Sequence, residues 1–399
     1  MGFEKLADFL DSLASTYRLP SCDCIVYHKH EQVFRRMCGY SDKEKKTPVS
    51  PKDLYWLFSA TKVVTATAVM RLVEQGKLSL ADEVSRYLPE YADVMVRDNF
   101  RYDANLMHNG MVSRETLTLG GELKLRAPAS AMTIEDLLTM SGGLGYDMET
   151  PAIKDVLTAT NGKAGTREIV RAIAKTPLDF DPGTHFQYSL CHDVLAAVVE
   201  VVSGMTYGEF LEKELFGPLG MEDMGFKMKP EQLARLSALY TCNQMTWEHE
   251  YTGTGSPYRR YENYESGGGG LFGKTDSYVK LLDALCNDGM SKDGYRVLKP
   301  ETIENMRTNR MTGSRAEDFL CMRRYGYGYG LGVRTMVDNS KAKSPIGEFG
   351  WDSAGGAFAL VDTKNSLAVF YAQHVLSFRP GYYVIHPTVR DLTYEALFG

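Results

Sequence analysis

Strand-like patterning is confined to the two ends of this chain, and that asymmetry narrows the folds open to it. Near the start, Ile25, Val26 and Tyr27 lead into a polar turn at His28 to Glu31, and Val33, Phe34 and Met37 return, which predicts a hairpin over 23–40. Near the end, residues 325–334 alternate glycine with tyrosine or leucine, and 356–360 and 366–373 are apolar runs. The tetrapeptide Asp362-Thr-Lys-Asn365 predicts the turn between those two runs. Elsewhere helical spacing dominates, with helices expected over 166–174, 191–203, 207–215, 275–286 and 386–397. Two separated stretches of strand complete one antiparallel sheet when the chain between them forms a helical domain. Neighbouring chain termini suit that arrangement. The expected fold is therefore α/β plus all-α. An antiparallel sheet flanked by helices is built from both ends (1–58 and 265–399), and a large, mainly helical domain (59–264) is inserted. Pattern alone leaves this one topology among several.

Residues 54–58 form a short apolar approach to a helix beginning near Ser59 and stopping at Gly76. Its apolar residues, among them Val63, Val64, Ala66, Met70 and Leu72, fall on more than one face, which marks a central helix. Residues 91–131 lack strong periodicity and hold Gly110, Gly120, Gly121 and Pro128, an irregular excursion that suits a cleft rim. Thr133 and Asp136 have the spacing of a capping box, starting a helix expected to end at Gly142-Gly143.

A chain of 399 residues accommodates one large or two intimately packed domains. The net charge of -6 gives no broad attraction for nucleic acid or anionic lipid. Basic clusters (43–46, Arg259-Arg260, Arg323-Arg324) are short enough to be solvated loops. In the first twenty residues Phe3, Leu6, Ala7, Leu10 and Leu13 recur at helical spacing with charges between them, unlike a signal peptide. No segment approaches the roughly 18 uninterrupted apolar residues of a membrane helix. The expectation is a cytoplasmic protein with neither nucleic-acid nor membrane partners. The seven cysteines lack the paired spacing of a zinc site and read as small buried hydrophobes, Cys22 and Cys24 on one strand face.

Three segments carry chemistry. In Ser59-Ala-Thr-Lys62, an i, i+3 pair lies on one helical face, so the Lys62 ammonium reaches the Ser59 hydroxyl. A helix start also offers unpaired N–H groups to developing negative charge. A serine hydroxyl is a weak nucleophile that needs a base, and a lysine serves only where desolvation or nearby positive charge lowers its pKa. The bland alternative is a capping serine beside a surface lysine. Tyr188-Ser-Leu190, at a loop-to-helix junction, points a phenol toward a cleft where it can act as a general base, or else it is one of many buried tyrosines. Gly350-Trp-Asp-Ser-Ala-Gly-Gly356 permits close backbone approach by a ligand, with Trp351 as a cleft wall and a strand-edge N–H as a second oxyanion donor. A bend into a core strand would look the same.

In this order the three segments resemble the serine β-lactamase-like and penicillin-binding-protein-like superfamily, particularly its class C-like esterases. Ser59-Ala-Thr-Lys62 matches the Ser-x-x-Lys motif, Tyr188-Ser-Leu190 the Tyr-x-Asn position, and Trp351-Asp-Ser353 lies where lactamases carry Lys-Thr-Gly. The segments Thr133 to Gly143, Phe186 to Ser189, Ser266 to Leu271, Asp293-Gly294 and Leu298-Lys-Pro300 resemble further stretches of that family. The resemblance implies a site between the two domains, with Ser59 as nucleophile and Lys62 and Tyr188 as its catalytic partners. It puts the oxyanion donors at the backbone N–H groups of Ser59 and either Ser353 or Ala354, with Ser353 preferred. Leu190, Trp351, Asp352 and Ala354 are the expected cleft residues.

The implied function is hydrolysis of small carboxylic esters through an acyl-serine, on a small-molecule ester or acyl substrate and with neither metal nor organic cofactor. The rivals are β-lactamase, D-amino-acid peptidase or amidase, acyltransferase, and a non-catalytic acylation sensor. Leu190 and Trp351 stand where lactamases present an amide and a cation. That departure favours compact, uncharged esters over β-lactams.

Overall fold

The computed structural model describes residues 2–108, 117–253, 255 and 262–399. Gly110 and the Arg259-Arg260 cluster lie outside those residues. The first helix, α1 (Glu4–Tyr17), buries Leu6, Leu10 and Leu13 along one face and stops where Arg18 turns left-handed. Strands β1 (Ser21–His28) and β2 (Glu31–Asp42) form the expected hairpin, and Lys29 and His30 take the positive φ values of its two-residue turn.

The two ends of the chain meet in one sheet. With β3 (Thr47–Pro48), β4 (Tyr327–Tyr329), β5 (Arg334–Met336), β6 (Phe349–Asp352), β7 (Phe358–Asp362) and β8 (Leu367–Ala372), the order is β4-β5-β6-β7-β8-β1-β2-β3. The joining pair is antiparallel β1 with β8, in register from Asp23 opposite Ala372 to His28 opposite Leu367. Because side chains alternate along a strand, the sheet packs on both faces. Ile25, Ala359, Val361, Ala368 and Phe370 face the helices α2 (Thr61–Glu74) and α5 (Thr275–Cys286), and α4 (Cys191–Ser203) packs against α2. Cys22, Cys24, Val26, Leu360, Val369 and Tyr371 face α1 and the closing helix α6 (His386–Phe398). Both cysteines are buried on that face.

Helix α2 is buried on every side, including Thr61, Lys62, Thr65 and Thr67. A 3-10 turn, Phe58–Ala60, leads into it. Its start is pinned by Tyr278 of α5, whose hydroxyl donates to the Ala60 carbonyl at 2.7 Å while its ring stacks on Phe370 of the sheet, centroids 4.3 Å apart.

Several elements differ from expectation. Thr133 and Asp136 do form a reciprocal capping box, but α3 (Ile134–Leu138) ends early. Met140 at φ +57° takes the chain out of the helix before Gly142. In the predicted helix over 207–215, α-helix gives way to a π-turn at Glu212–Phe216. Leu239–Cys242, His249–Gly253 and Val375–Leu376 make a three-stranded sheet within the stretch read as mainly helical and across its expected boundary. Helices also form at Pro151–Ala159 and Pro300–Arg307, each with proline at its first position. Among the described residues no single helix is long and apolar enough to cross a membrane.

Candidate active site

Ser59 sits in the 3-10 turn at the foot of α2, and the residue before it, Phe58, is held at φ +44°. A non-glycine side chain in the left-handed region stores backbone strain, and such strain persists only where packing over-determines it. Here Leu57 donates its N–H to Leu271 O at 2.9 Å, and the Phe58 ring is 4 % exposed. One helical turn on, Lys62 is fully buried. Its ammonium lies 3.3 Å from Ser59 Oγ and donates to the Gly268 carbonyl at 2.6 Å.

Tyr188 approaches from the loop before α4 and donates to Ser59 Oγ at 2.7 Å. Its ring is sandwiched: Tyr146 stacks on one side, centroids 5.6 Å apart and 7° from parallel, and Trp351 on the other, 5.7 Å apart. Trp351 Nε1 also donates to the Tyr188 oxygen at 3.3 Å. The Lys62 ammonium is 4.5 Å from the centroid of the Tyr188 ring and 5.5 Å from that of Tyr146. Serine, lysine and tyrosine therefore converge on one oxygen in an aromatic setting.

The carbonyl that holds Lys62 is itself supported. Asp193, fully buried in α4, accepts from Tyr264 Oη, from Ser266 Oγ at 2.5 Å and from the Gly268 N–H at 3.4 Å. Thr65 Oγ1 donates to Gly267 O at 2.7 Å, and Leu271 N–H donates to Thr61 Oγ1 at 3.2 Å, tying the glycine run to α2. A Cβ at Gly268 would lie 2.4 Å from Asp193 Oδ2, and one at Gly267 2.3 Å from the His192 carbonyl, so close approach demands glycine there. Burial pushes the Asp193 carboxyl up, against the hydrogen bonds from Ser266 and Tyr264 and the charge of Lys62. Burial, aided by Lys62, holds the His192 imidazole well below its ordinary value, so that ring is neutral. Sequence reasoning passed over Asp193 and Tyr146. The available signal for the first was a carboxylate inside the apolar run Cys191 to Val199.

Three expected positions need correction. Strand β6 alternates, so Trp351 faces Tyr188 while Asp352 points through the opposite face. There it meets Arg324 at 3.0 Å and Arg334 at 3.2 Å, away from the cleft. Leu190, 2 % exposed, packs into the main core and gives its N–H to Gly145 O at 3.1 Å, so it presents no surface to a substrate. The Ser353 N–H, the preferred second oxyanion donor, already donates to Ala357 O at 2.8 Å. Its hydroxyl accepts from Ala357 N–H at 2.9 Å, and its carbonyl accepts from Gly356 N–H at 2.9 Å and Tyr382 Oη at 2.7 Å. Ser353 is the anchor of a tight turn. The next residue, Ala354, is exposed, and the turn lies against Phe58, whose ring leaves only 2.8 Å for a Cβ at Gly355.

Known proteins share sequence and fold with this chain. Protein Rv1367c of Mycobacterium tuberculosis is 30 % identical over 344 residues, 84 % of this chain and 80 % of its own length. Esterase EstB of Burkholderia gladioli is 30 % identical over 389 residues, 92 % of this chain and 88 % of its own. Among solved structures, EstCE1, described as a hydrolase with promiscuous acyltransferase activity, superposes with a TM-score of 0.77 at 24 % identity, covering 98 % of each chain. The profile of the family described as Beta-lactamase matches residues 6–380. With a serine, a buried lysine and a tyrosine meeting at the foot of its central helix, this chain belongs to the beta-lactamase family.

Proposed function

We propose that this protein is a serine hydrolase of small carboxylic esters, acting through an acyl intermediate on Ser59. The observation that carries the reading is the 2.7 Å contact of Tyr188 Oη with Ser59 Oγ, made while the buried Lys62 ammonium stands 3.3 Å from the same oxygen. With one proton removed from the Tyr188/Lys62 pair, Tyr188 as the phenolate beside the Lys62 ammonium, or through Lys62 as the free amine, takes the Ser59 proton as Oγ attacks the ester carbonyl. The carbonyl oxygen gains negative charge and is held by the backbone N–H of Ser59 and, in place of Ser353, that of Ala354. Collapse of the tetrahedral adduct breaks the ester C–O bond, and the departing alkoxide receives the proton from the Tyr188/Lys62 pair. Water then repeats the sequence on the acyl-serine, releasing the acid and restoring the free hydroxyl.

The cleft favours esters over β-lactams. The position of a lactamase amide is the buried Leu190, and that of the lysine is Trp351, packed on Tyr188. Arg324, a possible substitute cation, is held by Asp352 on the other face of β6. A substrate carboxylate would enter this cleft unpaired, and an unpaired polar group costs about 1–3 kcal/mol, more when charged. The test is kcat/KM for a short-chain aryl ester and for a cephalosporin on one preparation, with Ser59→Ala as control. The ester is expected to be the better substrate by ~10²-fold or more. Comparable values would overturn the ester assignment, and undiminished turnover in Ser59→Ala would overturn the nucleophile.

A further inference from the structure

Among the side chains gathered at Ser59, Tyr146 is the one most open to solvent. Ser59, Lys62 and Trp351 are buried and Tyr188 is half-buried, whereas Tyr146 is 37 % exposed. Its place is fixed by the chain that leads to it. The carbonyls of Met140, Ser141, Gly143 and Gly145 accept from the N–H groups of Gln187, Gly183, Asp179 and Leu190, at 2.9, 2.9, 2.8 and 3.1 Å respectively. The loop that ends at Tyr146 is laced in this way to the loop that delivers Tyr188, so the two rings are held as a pair.

Trp351, Tyr188 and Tyr146 form one stack whose two ends differ. Trp351 closes one end, buried and meeting Tyr329 edge-on with centroids 5.1 Å apart. Tyr146 forms the other. One of its faces lies on Tyr188, 7° from parallel, so its exposed surface belongs to the opposite face and the ring edge. An open aromatic face suits a second flat, apolar ring. Such a ring stacks offset on it with a large contact area, and the rigid tyrosine loses little entropy in the contact.

The distances bring a substrate within reach of that face. The Lys62 ammonium stands 3.3 Å from Ser59 Oγ and 5.5 Å from the Tyr146 centroid. A ring-sized group one or two carbons from the reacting ester therefore meets Tyr146. The chemistry decides which half of the ester carries it. In acylation the departing alkoxide takes its proton from the Tyr188/Lys62 pair, so the alcohol oxygen lies against the edge of the same stack. Toward Trp351 the way is closed, and toward Tyr146 it is open.

We propose that Tyr146 is a specificity residue of the alcohol subsite, its exposed face stacking on an aromatic group carried one or two carbons from the ester oxygen. This rests on the hydrolase reading above and names the alcohol half of its substrate, an arylalkyl alcohol in preference to a straight-chain one. Tyr146 itself moves no proton.

Two esters that share an acyl group test this: 2-phenylethyl butyrate and butyl butyrate, whose alkoxides are similarly basic, followed by acid release at constant pH. The ratio of their kcat/KM values isolates the alcohol. Wild type is expected to favour the phenylethyl ester by roughly 3- to 10-fold, the scale of one aromatic pair. Tyr146→Phe keeps the ring and should keep the ratio, whereas Tyr146→Leu should bring it close to one. A merely structural role, in which Tyr146 only holds Tyr188 in place, would lower both values together and leave the ratio unchanged. The proposal is overturned by a wild-type ratio near one, by a ratio that survives Tyr146→Leu, or by one lost in Tyr146→Phe. Turnover of the short-chain aryl ester but of neither butyrate would overturn the alcohol subsite and leave the hydrolase reading standing. Failure on all three esters would overturn both.

Discussion

Lys62 and Tyr188 meet at one oxygen, and in the mechanism proposed here they act as a unit. Lys62→Ala and Tyr188→Phe should each lower kcat by at least ~10²-fold, the scale of general acid–base assistance. The double variant should lose far less than the product of the single losses. Fully multiplicative losses in steady-state kinetics would mean that the two act independently. Behind them, Asp193 positions the Gly268 carbonyl that holds Lys62. Asp193→Asn keeps the shape and removes the charge, and we expect kcat to fall by about 10- to 100-fold with little change in KM, as for a misplaced catalytic group. A melting temperature near wild type would separate that loss from misfolding. Ala354→Pro deletes one exposed amide, and as an oxyanion donor its loss should cost ~10²–10³ in kcat. The partners of Ser59 were legible in sequence because helical spacing and local motifs are short-range rules. The fate of Asp352 and Ser353 was not: which way a strand faces and which amide a turn consumes depend on β7 and on Tyr382, far along the chain.

At the level of elements, the capping box of α3 follows from four residues and was readable in advance. Thr133 Oγ1 accepts from Asp136 N–H at 3.2 Å and the Asp136 carboxylate accepts from Thr133 N–H at 2.9 Å. Thr133→Ala should cost about 1 kcal/mol, measured by urea unfolding, with activity retained. The end of the same helix was misread because Gly142-Gly143 is a strong stop signal, whereas Met140 turns left-handed for tertiary reasons. Its carbonyl accepts from the Gln187 N–H at 2.9 Å, one residue before Tyr188. The early stop thus helps deliver Tyr188 to Ser59. The short strands Tyr55–Trp56 and Phe272–Gly273 escaped prediction for the opposite reason. Two residues carry no periodicity, yet their pairing sets Ser59 beside the glycine run that holds Lys62.

Across the whole molecule, one buried ring connects three of these parts. His374, just past β8, receives the Trp56 N–H on Nε2 at 3.3 Å and meets the Ser237 carbonyl through Nδ1 at 2.9 Å. Its ring packs edge-on against Tyr55 and tilts against Phe58, the strained residue before Ser59. With Nε2 accepting and Nδ1 donating, only the neutral imidazole fits. Burial pulls its pKa down from 6.5 to about 4, although the hydrogen bonds to the backbone at Ser237 and Ala238 oppose that shift. The unfolded chain therefore takes up this proton near pH 6.5, and the native state only near pH 4. Between those values the unfolded state binds more protons, so the contribution of His374 to stability is full above pH 6.5 and drains away as the pH falls toward 4. The loss approaches roughly 3 kcal/mol. Burial also pushes up the carboxyls of Asp23, Asp193 and Glu348, which act in the opposite sense. The measurement must therefore be a difference. Urea unfolding of wild type and His374→Gln at steps from pH 7.5 to 4.5 cancels the shared carboxylates. Wild type should hold its greatest advantage above pH 6.5 and lose it steadily below, as a ring that cannot charge in place is replaced by an amide that never charges. A stability difference that stays flat across that window would mean that His374 protonates in the native state as readily as in the unfolded one, and the neutral ring would not be what braces the turn that carries Ser59.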